Sequence, residues 1–343
     1  MMRETLQKII RETLSIPADV VSITPLHGEA STRIYSRLQL TNGKSFIVMQ
    51  LPPGPTSASE EITNLKQPGQ ELPFLNVAQY LKNQALPVPE VYHYDEKEKF
   101  LILEDFGDET LEKRVRSHPE EKELWYKKAI DLLVDFQVKT EKATTCVAFH
   151  RSFDKTLLDW ELDHFWEYGV EIRQNKKSVE AKNNFEKLSR PISDFLTKIP
   201  TVLTHRDYQS RNLMVYEGQL EILDFQDALI GPLPYDLVAL LRDSYIVLEK
   251  ELLERLIQHY LKKREEAKHP LEAESFRKMF DWVTIHRKLK DAGRFIYIDK
   301  VKKNSSFLPS IPASLAYVKT AFERQPELNE FFNFLKKYVP EFS

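Results

Sequence analysis

The chain has 343 residues, 42% of them apolar and 29% charged, and a formal net charge of -3. That length suits about two domains with proper cores, and the charge balance lacks the strong basic field that nucleic-acid binding leaves. Cys146 is the only cysteine, which excludes internal disulfides and a disulfide-stapled secreted fold, and no apolar run approaches the length of a membrane span.

Leu6, Ile9, Ile10 and Leu14 recur at helical spacing among charged residues, predicting an amphipathic helix rather than a secretory segment, with a cytoplasmic location and no membrane partner as the expectation. Strands follow at 19–26, 33–40 and 45–51, the last two joined by Asn42-Gly43, a tight-hairpin signal. Residues 52–73 are rich in Pro, Gly, Ser and Glu without period and read as a loop or a poorly formed helix. Phe74, Leu75, Ala78 and Leu81 mark a helix that Pro87-Val88-Pro89 ends, before strands at 90–94 and 100–104. A sheet of about five strands carrying one helix is the result.

Beyond Glu104-Asp105-Phe106-Gly107 the pattern changes to long helices, at 120–139, 157–173 and 179–196, and from Tyr235 to the end. In the first of these Leu124, Ile130, Leu133, Val134 and Phe136 supply the expected buried stripe. The chain is therefore α+β, with a small antiparallel-sheet lobe at 1–104 and a larger, mainly helical lobe at 105–343.

Two short apolar segments interrupt the helices and carry the polar residues of most interest. Asp207 lies five positions before Asn212, and Asp224 follows twelve positions later at the end of an apolar strand. That is the order of a kinase catalytic loop and metal-binding turn: a base for the acceptor hydroxyl, then two oxygen ligands that hold Mg²⁺ against nucleotide phosphates. A capped loop whose side chains satisfy backbone groups explains any one of these residues, but not their order, spacing and strand context together.

Seven signatures carry a resemblance to a known family. They are Gly28-Glu29-Ala30-Ser31-Thr32-Arg33-Ile34-Tyr35, Val48-Met49-Gln50-Leu51-Pro52-Pro53, Leu103-Glu104-Asp105-Phe106-Gly107-Asp108, His205 through Met214, Leu223-Asp224-Phe225-Gln226-Asp227-Ala228, Tyr235 through Asp243, and His286-Arg287-Lys288-Leu289-Lys290. The chain resembles the aminoglycoside phosphotransferase and choline kinase superfamily, similar in fold to the two-lobed protein kinases. Within it the chain looks most like bacterial anomeric kinases of N-acetylmuramate and N-acetylglucosamine, used in cell-wall sugar recycling. The resemblance implies ATP and Mg²⁺ as cofactors, a small-molecule sugar as substrate, and a monomer without nucleic-acid partners.

Residue by residue, the resemblance makes Asp207 the base; Arg211 and Arg206 are each placed either to stabilise charge on the transferred group or to pair with nearby carboxylates. Asn212 and Asp224 hold the metal. Gly28, Ser31 and Arg33 meet the phosphates, and the backbone of Glu104, Asp105 and Phe106 meets the adenine. Acceptor contacts are expected from Asp154, Glu161 and Trp166, from Gln226 and Asp227, and from Arg287 and Lys290, the last two for a lactyl carboxylate or a phosphate. Asp236 is expected to accept backbone hydrogen bonds from the catalytic loop, and His205 to brace it. The aromatic residues around Trp166 also fit an ordinary helical core.

Two departures from the general kinase pattern stand out. Met49 occupies the strand position of the phosphate-binding Lys, and the helix that would carry its Glu partner has no carboxylate at 74–79. Loss of the pair is more coherent than loss of one member, since an unpaired buried charge is costly; Arg33 is the expected substitute. The nucleotide turn has a single glycine, Gly28, and neither G-x-G-x-x-G nor a P-loop pattern occurs. The alternatives are a kinase of another hydroxylated acceptor (an aminoglycoside, choline or homoserine), and a nucleotide-binding pseudokinase or interaction module.

Overall fold

Alternation along the first strands divides their side chains between two cores, and this is what fixes the position of the cleft. The structure, a computed structural model, describes residues 2–26, 33–52, 72–140 and 145–343. Helix α1 (Met2–Lys8) runs on as a wide π-turn, and strands β1 (Val20–Leu26), β2 (Ile34–Leu40), β3 (Ser45–Gln50), β4 (Val91–Asp95) and β5 (Phe100–Glu104) form one antiparallel sheet in the order β1-β2-β3-β5-β4. Leu38, Leu40, Phe46, Val48, Phe100 and Ile102 point to one face, where Leu6, Ile9 and Ile10 cover them. Met49, Leu101 and Leu103, one residue out of phase, point to the other face and join the main core of the molecule.

Helix α2 (Pro73–Asn83) covers that second face. Its Phe74 ring packs at 5.0 Å on Phe225, and the Asn76 side chain donates to the Thr145 carbonyl and accepts from the Val147 amide. Where a charged pair was absent from the sequence, an apolar contact now joins the sheet to the helical part. Most of the loop expected at 52–73, with Gly28 and Ser31, lies outside the described residues.

The helical part comprises α3 (Leu111–Ser117), α4 (Lys122–Lys139), α5 (Lys155–His164), α6 (Val179–Leu196), α7 (Tyr235–Leu241), α8 (Lys250–Glu266), α9 (Ala273–Lys302), α10 (Ile311–Glu323) and α11 (Asn329–Leu335). Two small ladders, β6 (Thr201–Thr204) with β9 (Leu229–Pro232) and β7 (Leu213–Tyr216) with β8 (Gln219–Ile222), sit among them. The expected stripe on α4 needs one correction. Leu124 is 55% exposed, and Trp125 and Tyr126 are buried in its place, because the 3-10 turn at 119–121 sets the phase of the helix. No helix of the described residues is long and apolar enough to cross a membrane.

Helix α9 is buried along most of its length and crosses the π-helical continuation of α5 at Phe165–Ile172. The crossing is close enough that a Cβ on Gly293 would stand 2.6 Å from the Cα of Phe165 and 3.1 Å from the His164 carbonyl. Backbone cannot yield as a side chain can, so Gly293→Ala is expected to cost about 1–3 kcal/mol. Urea unfolding reads this as a lower midpoint at unchanged slope; an unchanged midpoint would show that the helices can separate freely.

Candidate active site

Strand β6 delivers the chain into the loop 205–212, and two aspartates at the ends of α7 hold that loop in shape. Asp236, fully buried, accepts the His205 amide at 2.7 Å and the Arg206 amide at 3.0 Å. These bonds stabilise Arg206 in the left-handed region, at φ 75°, a conformation costing roughly 1–3 kcal/mol for a non-glycine residue. Asp243, also fully buried, accepts the Ser210 amide at 3.0 Å and its hydroxyl at 2.5 Å. Burial pushes both carboxyls up, and the hydrogen bonds they accept pull back. His205 donates from Nε2 to the Leu223 carbonyl and accepts the Asp207 amide at Nδ1; burial lowers its pKa, so it braces the loop as a neutral ring.

The loop is latched to the turn that carries Asp224. The Leu223 amide donates to the Asn212 carbonyl at 2.9 Å, and Asn212 Nδ2 donates to the Asp207 carbonyl at 2.8 Å. With its nitrogen engaged, Asn212 has its side-chain oxygen left for a ligand. Asp224, also left-handed at φ 62°, has Oδ1 bonded to the Gln226 amide at 2.7 Å, leaving Oδ2. Both free atoms are hard oxygen donors of the kind Mg²⁺ takes. Among the described residues no three His, Cys, Asp or Glu side chains gather around one point. An ion held by Asn212 and Asp224 would have few protein ligands, which is compatible with Mg²⁺, an ion that keeps waters and binds substrate phosphates.

Asp207 and Asp224 are oppositely tuned, though both are open to the cleft. At Asp207 burial works to raise the pKa, but the charges of Arg287, Lys290 and Arg206 outweigh it and bring the carboxyl to about 2. Arg287 Nη2 lies 3.1 Å from Asp207 Oδ1. Asp224 is accessible from the cleft, but the protein around its carboxyl withholds enough water to raise it to about 6; the Gln226 hydrogen bond and Arg33 oppose this, while Asp207 and Asp227 add to it. A carboxylate held among other carboxylates is one that gains from a cation.

Across the cleft, Arg33 hydrogen-bonds Tyr35, whose hydroxyl is pushed up to about 12 by burial and by the charges of Asp224 and Asp227. Arg33 is thus close enough to the Asp224 turn for its charge to act on that carboxyl, whereas Met49 is fully buried in the core. Arg33→Ala is expected to raise the KM for nucleotide about tenfold or more, the loss of one charge-assisted contact. Steady-state kinetics with varied nucleotide reads it, and unchanged KM and kcat would remove Arg33 from the phosphate site.

The segment joining the two parts is pinned by Arg37 on β2. Its Nε and Nη2 grip Asp105 at 2.7 and 3.1 Å, its Nη1 meets Asp108 at 2.9 Å, and Nη2 also donates to the Gly107 carbonyl. Gly107 turns at φ 79°, which glycine adopts without strain. The Asp105 side chain is spent on this clamp, and the Glu104 amide on the Glu90 carbonyl at 2.9 Å. The amides of Asp105 and Phe106 make no backbone hydrogen bond among the described residues, so they are the donors left to a base edge.

Several expected contacts are corrected. Trp166 is 1% exposed and packs among Phe185, Phe334 and Tyr338, with its indole N–H on Glu171, so it offers no face to a sugar. Arg287 is fully buried and donates to Asp207 and to the Arg206 carbonyl; it holds the base instead of meeting a ligand. Gln226, 3% exposed, donates to Asp224 and Asp227. Arg211 pairs with Glu112 at 2.6 Å and lies 3.6 Å over the Tyr245 ring, which takes it out of the catalytic group. Asp154 caps α5 by accepting the Leu157 amide. Glu161 is buried with Oε1 3.8 Å from Arg206 and Oε2 3.7 Å from His286, whereas Lys290, paired with Asp291 at 3.2 Å, keeps part of its side chain open. Asp243 was missed, although its place one helix length after Asp236 is visible in the sequence.

The model of the phosphotransferase enzyme family matches residues 22–272. The chain belongs to that family. An N-acetylmuramate/N-acetylglucosamine kinase of Neisseria meningitidis serogroup B is 30% identical to this phosphotransferase over 322 residues, 91% of the chain and 89% of the relative. The enzyme of that name from Pseudomonas aeruginosa is also 30% identical, over 92% of the chain and 87% of its own length. Among solved structures, a choline kinase from Streptococcus pneumoniae superposes at TM-score 0.61 with 15% identity, covering 94% of this chain and 98% of its own. An ADP-bound aminoglycoside phosphotransferase superposes at 0.57 with 15% identity, over 92% and 96%. The phosphotransferase therefore has the two-lobed, protein-kinase-like α+β fold.

Proposed function

We propose that the chain transfers the γ-phosphoryl group of ATP to a hydroxyl of an amino sugar, N-acetylmuramate or N-acetylglucosamine, at the anomeric position. The latched arrangement of Asp207, Asn212 and Asp224 carries this reading, and the names of the relatives at 30% identity support the acceptor. The sheet part, residues 1–104, binds nucleotide, and residues 105–343 supply the catalytic loop and the acceptor site.

Mg²⁺, when bound by Asn212 and Asp224, neutralises phosphate charge. Asp207 positions the acceptor hydroxyl with the oxygen that Arg287 leaves free. A carboxylate with a pKa near 2 is a weak base, so it takes the proton late, once bonding to phosphorus has acidified the hydroxyl. An anomeric hydroxyl, acidified by the adjacent ring oxygen, suits so weak a base. Arg206, Arg287 and Lys290 ring the base with positive charge, which disfavours a cationic acceptor such as choline or an aminoglycoside.

ATP consumption with a panel of amino sugars, aminoglycosides and choline tests the reading. Turnover with the amino sugars and an anomeric phosphate in the product NMR spectrum are expected; turnover with choline or an aminoglycoside alone would replace the acceptor.

A further inference from the structure

On α9, Arg287, Lys290 and Arg294 recur at three- and four-residue steps and so share one face of the helix. The first is consumed by Asp207, and the second pairs with Asp291 while its side chain keeps 17% of its accessibility. Arg294 differs. Its guanidinium lies 4.7 Å over the Tyr297 ring, and no carboxylate among the described residues is within ion-pair distance of it. It stands two turns along the same face from Arg287, whose guanidinium reaches Asp207 at 3.1 Å, and this places it on the side of α9 that faces the base.

Two further observations converge on this spot. Trp160 stacks on His164 at 5.3 Å, and Tyr297 lies 5.4 Å from His164 and 5.1 Å from Tyr168. Trp160, Tyr168 and Tyr297 remain partly open to solvent, so this group, not Trp166, is an accessible aromatic wall beside Arg294. Below it the Tyr235 hydroxyl, Glu161 Oε2 and His286 Nδ1 are buried without a hydrogen-bond partner. His286 donates from Nε2 to the Leu158 carbonyl, which makes its Nδ1 an acceptor beside the Glu161 acceptor 3.7 Å away. These groups are closed off from the cleft and make the floor beneath the α9 cations polar.

We propose that Arg294, with Lys290 beside it, forms an anion subsite next to Asp207 that binds a carboxylate on the acceptor, making N-acetylmuramate the preferred substrate over neutral N-acetylglucosamine. This rests on the amino-sugar reading above. A planar guanidinium matches a carboxylate with two parallel hydrogen bonds, and the Tyr297 face holds that plane in position. Arg294 is a specificity residue: it meets the substituent, whereas Asp207 meets the reacting hydroxyl.

The test compares kcat/KM for N-acetylmuramate and N-acetylglucosamine in wild type, Arg294→Gln and Arg294→Lys, with melting temperatures checking the fold. The wild type is expected to favour the carboxylated sugar. Arg294→Gln should reduce the ratio about 10- to 100-fold, the range for losing a hydrogen bond to a charged group; Arg294→Lys should keep part of the preference. A ratio unmoved by Arg294→Gln, or a wild type without preference, overturns the subsite. Glucuronate with glucose and carnitine with choline complete the panel. If the amino-sugar reading fails but the subsite stands, another carboxylated member is preferred, and that preference is lost in Arg294→Gln. No Arg294-dependent preference in any pair overturns the subsite itself.

Discussion

Asp224→Ala is expected to bring metal-dependent turnover down to background while the protein still folds. The side chain is open to the cleft and makes one hydrogen bond, to Gln226, so its removal leaves no void in the core. It does remove one of the two protein oxygens available to Mg²⁺, in a site where the ion must shield several phosphate charges at once. Raising the Mg²⁺ concentration restores little, because the remaining Asn212 oxygen is neutral. Two readouts separate this from unfolding: an unchanged melting temperature, and loss of the Mg²⁺-dependent strengthening of nucleotide binding. Retained turnover in this variant would move the metal elsewhere.

Asp207→Asn should lower kcat by about 10² to 10⁴, the contribution of a positioned general base, with little change in the KM for nucleotide. Asparagine keeps an oxygen that Arg287 can bond, so the geometry survives while the proton acceptor is lost. The pH profile carries a second check. Since Asp207 sits near 2, it is ionised at every pH above about 4, and its titration is expected to give the wild type no acid limb between pH 5 and 7. Arg287→Met removes the largest charge holding that carboxyl down, while burial continues to push it up. The folded pKa then rises, and rate is lost as pH falls through the new, higher value. An unmoved acid limb in that variant would remove Arg287 as the residue that tunes the base.

The sheet and its helix were legible because period-two apolar strands and the Asn42-Gly43 turn report their geometry locally. The catalytic loop was legible for a different reason: its residues are close in sequence and their spacing is fixed by the chemistry. The acceptor side was not. Whether Trp166 faces solvent depends on the π-turn that rewinds α5 after His164, and no local signal marks that change of phase. Whether Arg287 meets a ligand depends on how deep α9 is set, and whether Arg294 does depends on which carboxylates other helices place near it. These are facts of tertiary packing, and charge alone in the sequence leaves the three α9 cations indistinguishable.

The Phe74–Phe225 contact has a regulatory consequence. In kinases with a Lys–Glu pair, a helix that swings outward withdraws the glutamate and silences the enzyme. Here α2 has no carboxylate to withdraw; its Phe74 ring packs on the residue that follows Asp224, and its Asn76 side chain bonds the backbone at Thr145 and Val147. An outward swing of this helix would break ring packing and two backbone hydrogen bonds, where the paired kinases break an ion pair.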